Sequence, residues 1–429
     1  MNYDKSVKVH TYDAVNFQAN RRVEFRLPPN TAFRSNLRLV NMGFKDTNDT
    51  ADGKANDLVG CLGNIRSVRL MDKGVEISKA TNVHPFLSFQ NAVGSNVNIR
   101  NVSDIKLQSR VSLSRHPKPA DPVGGLPATY DDAEAPSDII EKSHTNATQS
   151  GKVITNDAPI QGVLELSRVL PILSVLRVVP TNLFTNLKIV IEFFNNTKAV
   201  QFGGTDTQQV FSNADLPNLI ALQAEELLGE AGAEAQRNIS SMSWNEMEHD
   251  EITVPRAVQN VQQSVSKRIK GFDNKSINRI LFFKRSDEGL NVSGTTINGY
   301  GANNSHSFLN EKFNLVVNGR SVLSGEGVDT NAGRLAMTAD AWGDYVGHIG
   351  MTELNCSNQD NWLDAGTNGK RDYIGLNVGQ KIQDLQLKYQ RFTENAGGAG
   401  DNFNMVMDIY AEVGKSLVIS GSGYSIVYN

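Results

Sequence analysis

The sequence predicts an all-β protein made of two β-rich halves, with long surface loops and a few short helices. Apolar residues occupy every second position from Phe403 to Val413, as in a half-buried strand. Short apolar runs bounded by Gly, Asn, Asp and Pro recur in both halves of the chain. The 429 residues exceed the length at which a single core stops growing, roughly 250 to 300 residues. Two domains are therefore expected.

In the first half, five apolar runs predict strands: Val23 to Leu27, Leu37 to Met42, Ile65 to Met71, Ile105 to Leu113 and Leu187 to Phe194. Asp72-Lys73-Gly74 predicts a hairpin turn, since Gly74 can adopt a positive φ. The residues from Thr81 to Val93 predict a short helix capped by Thr81 or Asn82.

Residues 114–161 lack a regular pattern and contain six of the thirteen prolines. Such a long irregular stretch predicts a surface loop. The segment 215–239 is different, because its leucines and glutamates favour helix, while Pro217, Gly229 and Gly232 keep any helix short. We expect a first domain over 1–214, a helical connector over 215–239 and a second domain over 240–429.

The second half shows the same short apolar runs as the first. They predict strands at Ile277 to Phe283, Phe313 to Val317, Gln383 to Tyr389, Phe403 to Val413 and Tyr424 to Tyr428. The run Asn314 to Leu323 predicts another hairpin, within a long loop region over 289–377. In the strand beginning at Phe403, Met405, Met407 and Ile409 should face the core. Asp408 should lie on the opposite, solvated side.

Charge and cysteine content limit the possible functions. The formal net charge is −4, and the basic residues near the start are dispersed among apolar ones, so direct nucleic-acid binding is not expected. Cys61 and Cys356 are too few for a disulfide framework and are predicted to be reduced thiols. The first residues show no apolar signal region, which predicts synthesis inside the cell.

No motif predicts catalytic, cofactor-binding or metal-binding residues, so we do not expect an enzyme. The seven histidines lack metal-ligand spacing, and the Gly-rich runs match no phosphate-binding loop. The polar run 46–53 fails the order of a calcium loop. The carboxylates of Glu246 and Glu248 lack a nearby cluster of aromatic and basic residues of the kind that would mark a carbohydrate-cleaving site.

Several stretches together resemble the double jelly-roll major capsid proteins of double-stranded DNA viruses, in particular polinton-like viruses, adintoviruses and virophages. The stretches are Arg34 to Asn41, Ile65 to Gly74 with Asn82 to Asn91, Leu170-Pro171 with Leu187 to Phe194, Tyr410 to Lys415, and Gly423 to Tyr428. This resemblance implies that each half is an eight-stranded jelly roll. It also implies a homotrimer that forms a pseudo-hexameric block in an icosahedral shell.

The same resemblance implies a location in the virion capsid, after synthesis and assembly in the host cell. The implied partners are other copies of the chain, neighbouring capsomers, minor capsid or penton proteins, and an inner membrane in particles that have one. Two alternatives stay open. One is a minor capsid, penton or spike protein of a similar virus. The other is a carbohydrate-binding β-sandwich protein, with a glycan groove lined by Trp342 and Trp362.

Overall fold

A computed structural model of the chain describes most of both halves. The described residues are 7–18, 22–46, 53–54, 65–82, 86, 160–193, 201–202, 211–212, 220–237, 239–254, 263–286, 311–323, 336–338, 340–342, 374–391, 405–421 and 423–429. Within these segments, no helix is long and apolar enough to cross a membrane.

Strands dominate the described part of the chain. They are β1 (Val7–Asp13), β2 (Asn16–Gln18), β3 (Arg22–Arg26), β4 (Ala32–Arg34), β5 (Arg38–Asp46), β6 (Gly53–Lys54), β7 (Ile65–Asp72), β8 (Val75–Thr81), β9 (Ile160–Glu165), β10 (Val178–Pro180), β11 (Leu187–Phe193), β12 (Gln201–Phe202), β13 (Phe211–Ser212), β14 (Ala221–Leu227), β15 (Met242–Val254), β16 (Gln263–Arg268), β17 (Ser276–Ser286), β18 (Glu311–Val317), β19 (Arg320–Ser321), β20 (Ile374–Lys381), β21 (Leu385–Arg391), β22 (Met405–Ser420) and β23 (Gly423–Tyr428). The helices are a 3₁₀ turn (Leu166–Arg168), α1 (Ile172–Val175) and α2 (Gly229–Arg237).

The first half forms a sandwich of two antiparallel sheets. Sheet 1 has seven strands, in the order β10-β4-β14-β5-β13, with β1 paired to β14 and β9 to β5. Sheet 2 has the order β2-β3-β11-β7-β8. The predicted hairpin between β7 and β8 is confirmed: Lys73 and Gly74 both have positive φ, at 49° and 86°. This is the backbone that a two-residue turn between twisted strands requires.

The second half forms a second sandwich. Sheet 3 has the order β15-β22-β17-β20, with β23 paired to β22, and sheet 4 has the order β16-β21-β18-β19. From β15 to β22 the chain crosses repeatedly between the sheets, which gives four strands in each and the connectivity of a jelly roll. The predicted second hairpin is confirmed, with Asn318 and Gly319 at φ 50° and 79° between β18 and β19.

Each sandwich encloses its own hydrophobic core. The first core contains Phe25, Leu70 and Ile189, and the second contains Ile280, Leu387 and Ile409, all fully buried. Met407 and Ile409 face the second core, as the alternation predicted. The first core also receives Trp244 and Leu417 from the second half of the chain.

The helical prediction for 215–239 is wrong over part of its length. Ala221–Leu227 is strand β14, which pairs with β1, β4 and β5, and only Gly229–Arg237 is helical. Hydrogen bonds to three neighbouring strands outweigh the helix propensity of the leucines and glutamates, because propensity is a weak local preference. The sheet therefore extends into the predicted connector.

Other boundaries also shift. Thr81 ends β8 instead of capping a helix, and of 83–93 only Phe86 is described, in a helical conformation. β9 begins at Ile160, within the predicted loop 114–161. In the region 289–377, residues 336–338 and 340–342 are helical and β20 begins at Ile374. The predicted strand Ile105 to Leu113 and the rest of both loops lie outside the described residues.

Candidate functional site at the contact between the sandwiches

The two sandwiches meet where β8, an edge strand of sheet 2, lies beside β15, an edge strand of sheet 3. Side chains bridge these strands. The Oε1 atom of Glu246 accepts hydrogen bonds from the backbone N–H of Lys79 and, at 2.8 Å, from the hydroxyl of Ser78. Unpaired sheet edges invite pairing with other chains. Here each edge is covered by the other sandwich, and we call this contact between β8, β15 and β22 the seam.

Charged side chains are buried at the seam on one face of sheet 3. Lys415 is 1% exposed and forms an ion pair with Glu246, while its Nζ lies 3.9 Å from Oε1 of Glu248. Lys275 forms a second ion pair, with the other oxygen of Glu248. Burial acts to lower the pKa of Lys415, but the charge and hydrogen bond of Glu246, together with the charges of Tyr428 and Glu248, outweigh burial and raise the pKa above its ordinary value. Two lysines thus balance two buried carboxylates.

The fold brings two lysines and a tyrosine from distant parts of the chain to Glu246 and Glu248. Lys415 Nζ lies 4.8 Å, and Lys275 Nζ 5.2 Å, from the centre of the Tyr428 ring. This cluster is nevertheless closed to a polymeric substrate, because Glu246 is fully buried and Glu248 is 5% exposed. The arrangement therefore fits a structural contact between the sandwiches.

The opposite face of sheet 3 is buried at Asp408 and Tyr410, which makes the prediction of a solvated Asp408 wrong. Asp408 is 1% exposed, and its Oδ1 lies 2.8 Å from Nε2 of His249. The hydroxyl of Tyr410 donates to the backbone oxygen of Asn82, and the Tyr410 ring stacks on Phe86 at 5.7 Å. Alternation separates the two faces of a strand but does not show whether the second face is covered.

Trp342 is part of this packing and does not line an open groove. It is fully buried, its Nε1 donates to the backbone oxygen of Ile280 at 3.1 Å, and the guanidinium of Arg279 lies 4.3 Å from its ring centre. Gly375 is required beside it, because an added Cβ would lie 2.4 Å from Trp342 Cδ1. The glycan groove predicted for Trp342 is therefore wrong, and Trp362 lies outside the described residues.

The β22–β23 hairpin joins the second half to the first core. The Tyr424 hydroxyl donates to Oδ2 of Asp72 at 2.9 Å, and the Tyr424 ring meets Phe184 edge-on at 5.0 Å. Leu417 is fully buried and Trp244 is 4% exposed within the first core. Strands β15 and β22 therefore each contribute to both sandwiches.

The seam residues were not predicted from the sequence. Lys415 gives one retrospective signal, since it interrupts an alternating run that is otherwise apolar on one side of the strand. Of the seven histidines, His10 and His249 are described, and each contacts a carboxylate: His10 contacts Glu226 at 2.5 Å. Cys61, Cys356 and the middle of the run 46–53 lie outside the described residues.

Comparison with known proteins gives matches in structure. No protein-family model matches the sequence, and no curated protein matches it significantly. A chain of the PBCV-1 virus capsid matches with a TM-score of 0.52 at 9% identity, covering 99% of this chain and 97% of that one. A chain of the Sputnik virophage matches with a TM-score of 0.54 at 10% identity, covering 100% and 89%.

The mavirus major capsid protein matches with a TM-score of 0.52 at 8% identity, covering 99% of this chain and 90% of that one. All three matches span both sandwiches, and the matched proteins are double jelly-roll capsid proteins. The chain therefore has the double jelly-roll fold of these viral major capsid proteins.

Proposed function

We propose that this chain is a major capsid protein, which assembles as pseudo-hexameric trimers that tile an icosahedral virus shell. The observation that carries the proposal is the docking of two sandwiches through buried contacts in one chain. The likeness to three viral capsid chains over nearly the full length supports the same role.

The seam explains how one chain would serve as a two-part building block. The hydrogen bonds from Ser78 and Lys79 to Glu246, and the one from Tyr424 to Asp72, join the two sandwiches. Lys415 balances the charge of Glu246 at this contact. Three such chains around a three-fold axis would place six sandwiches in a ring, and this assembly has the closed symmetry that most soluble homo-oligomers have. The near-hexagonal outline of the ring would allow it to pack against neighbouring capsomers.

The expected partners follow from this role. They are two further copies of the chain, neighbouring capsomers, minor capsid or penton proteins at the vertices, and an inner membrane in particles that have one. The protein would act in the virion, after synthesis in the host cell. It would have no catalytic activity and no direct contact with nucleic acid, in keeping with its net charge of −4.

The alternatives are separable by experiment. A minor capsid or spike protein of a similar virus would not form a lattice of its own trimers. A carbohydrate-binding protein would bind glycans as a monomer. The burial of Trp342 counts against the latter, since aromatic residues that bind sugars must be accessible.

The test is the mass of the purified full chain in solution. Light scattering coupled to size-exclusion chromatography should give about three times 46.9 kDa at micromolar concentration. Electron microscopy of concentrated trimers should then show hexagonal particles or arrays. A monomer at micromolar concentration would overturn the proposal, and so would a trimer that never forms arrays.

A further inference from the structure

Three possible metal ligands converge on the face of sheet 3 that contains Tyr410. His249 and Glu251 are two residues apart on β15 and point to the same side, and Asp408 lies directly opposite Glu251 on β22. One ligand atom from each side chain lies within 4.8 Å of the other two. His249 and Asp408 are deeply buried, whereas Glu251 lies at the exposed rim.

The first sandwich supplies an outer partner for His249. Asn82 places Nδ2 3.4 Å from Nδ1 of His249, while its buried Oδ1 has no hydrogen-bond partner among the described residues. The two ends of an amide are assigned from the bonds around them. Rotating this amide by about 180° would place Oδ1 against the Nδ1–H of His249, and the NH2 group would take the former place of Oδ1. Metal-bound histidines usually donate their second ring N–H to such an oxygen.

This rotation fixes which ring atom faces the carboxylates. With the proton of a neutral imidazole on Nδ1, the lone pair of Nε2 points at Oδ1 of Asp408, 2.8 Å away. Two lone pairs at that distance repel each other, so a proton or a cation must lie between them. Glu251 adds a second carboxylate at the same point, which favours a divalent cation over a single proton.

We propose that His249, Glu251 and Asp408 form a zinc-binding site, with Asn82 as the positioning residue for His249. One imidazole nitrogen with two carboxylates is a ligand set that zinc accepts, and water would complete the coordination. Calcium and magnesium prefer sites made only of oxygen. The ion would bind Asp408 and would fix β15 and β22 at the position where Asn82 of the first sandwich contacts them.

Isothermal titration tests this site on the full-length, tag-free chain. The protein is stripped with EDTA, dialysed and titrated with ZnCl₂, and with MgCl₂ in parallel. We expect one zinc ion per chain and no magnesium binding. Glu251→Gln and His249→Gln should each weaken zinc binding at least about 10-fold. The matched control is Glu230→Gln, which changes an exposed glutamate on α2 and should bind zinc like the unaltered chain.

Two outcomes of the titration would contradict the proposed zinc site. Absence of zinc binding by the unaltered chain would do so, and so would equal zinc affinity in the unaltered chain and Glu251→Gln. If His249→Gln fails to fold, Glu251→Gln decides the question, because Glu251 is exposed and glutamine keeps the size of its side chain. Cobalt substitution adds a spectroscopic check: the visible absorption of bound Co²⁺ should be lost in Glu251→Gln. None of these readouts depends on trimer formation.

Discussion

The hydroxyl of Tyr424 lies 2.9 Å from Oδ2 of Asp72, and this contact joins strand β23 of the second half to strand β7 of the first. Asp72 is fully buried, and its other oxygen accepts the backbone N–H of Asn186 at 2.6 Å. A hydrogen bond between residues 352 positions apart therefore links the two sandwiches.

Removing the Tyr424 hydroxyl should destabilise the folded chain. Tyr424→Phe deletes a hydrogen bond to a buried carboxylate, a loss of about 1.5 to 3 kcal/mol in the free energy of unfolding. Urea unfolding followed by tryptophan fluorescence measures it. The matched control is Ser425→Ala on the exposed side of β23, which should change stability by less than about 0.5 kcal/mol. Equal unfolding midpoints for the two variants would contradict the role of this contact.

The same hydroxyl should make stability depend on alkaline pH. Burial raises the pKa of Tyr424 above its ordinary value, and the hydrogen bond to Asp72 raises it further. The folded state therefore retains a proton that the unfolded state loses near pH 10. The stabilisation is complete below about pH 10 and is lost as the pH rises towards the folded-state pKa.

Urea unfolding at a series of pH values from 8 upward, in steps of about one unit, checks this linkage. The free energy of unfolding should fall above about pH 10 in the unaltered chain. Tyr424→Phe should show a shallower fall, since it lacks the group that titrates. Parallel curves for the two proteins would show that Tyr424 is not responsible.

Lys415 should be required at the seam because it balances buried carboxylates. Lys415→Met leaves Glu246 and Glu248 without their shared cation and should cost about 3 to 5 kcal/mol. Adding Glu246→Gln to this variant should restore part of the loss. Lys270→Met changes an exposed lysine and is the control, with an expected change below about 0.5 kcal/mol. Additive effects of the two seam substitutions in a double-mutant cycle would contradict the pairing.

Neighbouring residues on β22 should both be sensitive to substitution, although they face opposite sides. Ile409→Ala opens a cavity in the second core and should cost about 2 to 5 kcal/mol. Asp408→Ala leaves His249 without its carboxylate and should also cost more than about 1 kcal/mol. Val418→Ala, at a side chain 42% exposed on the same strand, serves as the control. An Asp408→Ala variant as stable as the control would mean that this side of β22 is solvated.

The sequence was sufficient for features that depend on neighbouring residues. The alternation around Ile409 located a strand and its core-facing side, because side chains of a strand alternate whatever the sheet around it. Lys73-Gly74 and Asn318-Gly319 located two hairpins, because few residues tolerate a positive φ. Resemblance to viral capsid proteins supplied the double jelly roll, which the pattern of strands alone could not distinguish from other β-sandwiches.

Only the tertiary structure decided which polar residues are buried. Asp408 and Trp342 were expected at exposed positions, yet both are covered by segments distant in the chain. Ala221–Leu227 forms a strand because it pairs with β1, β4 and β5. Secondary-structure propensity depends on neighbouring residues in the sequence and does not include these long-range hydrogen bonds. The partners of Glu246 in β8 are 167 and 168 residues away. Contacts at that separation arise only when both sandwiches have folded and docked, so a local pattern in the sequence contains no trace of them.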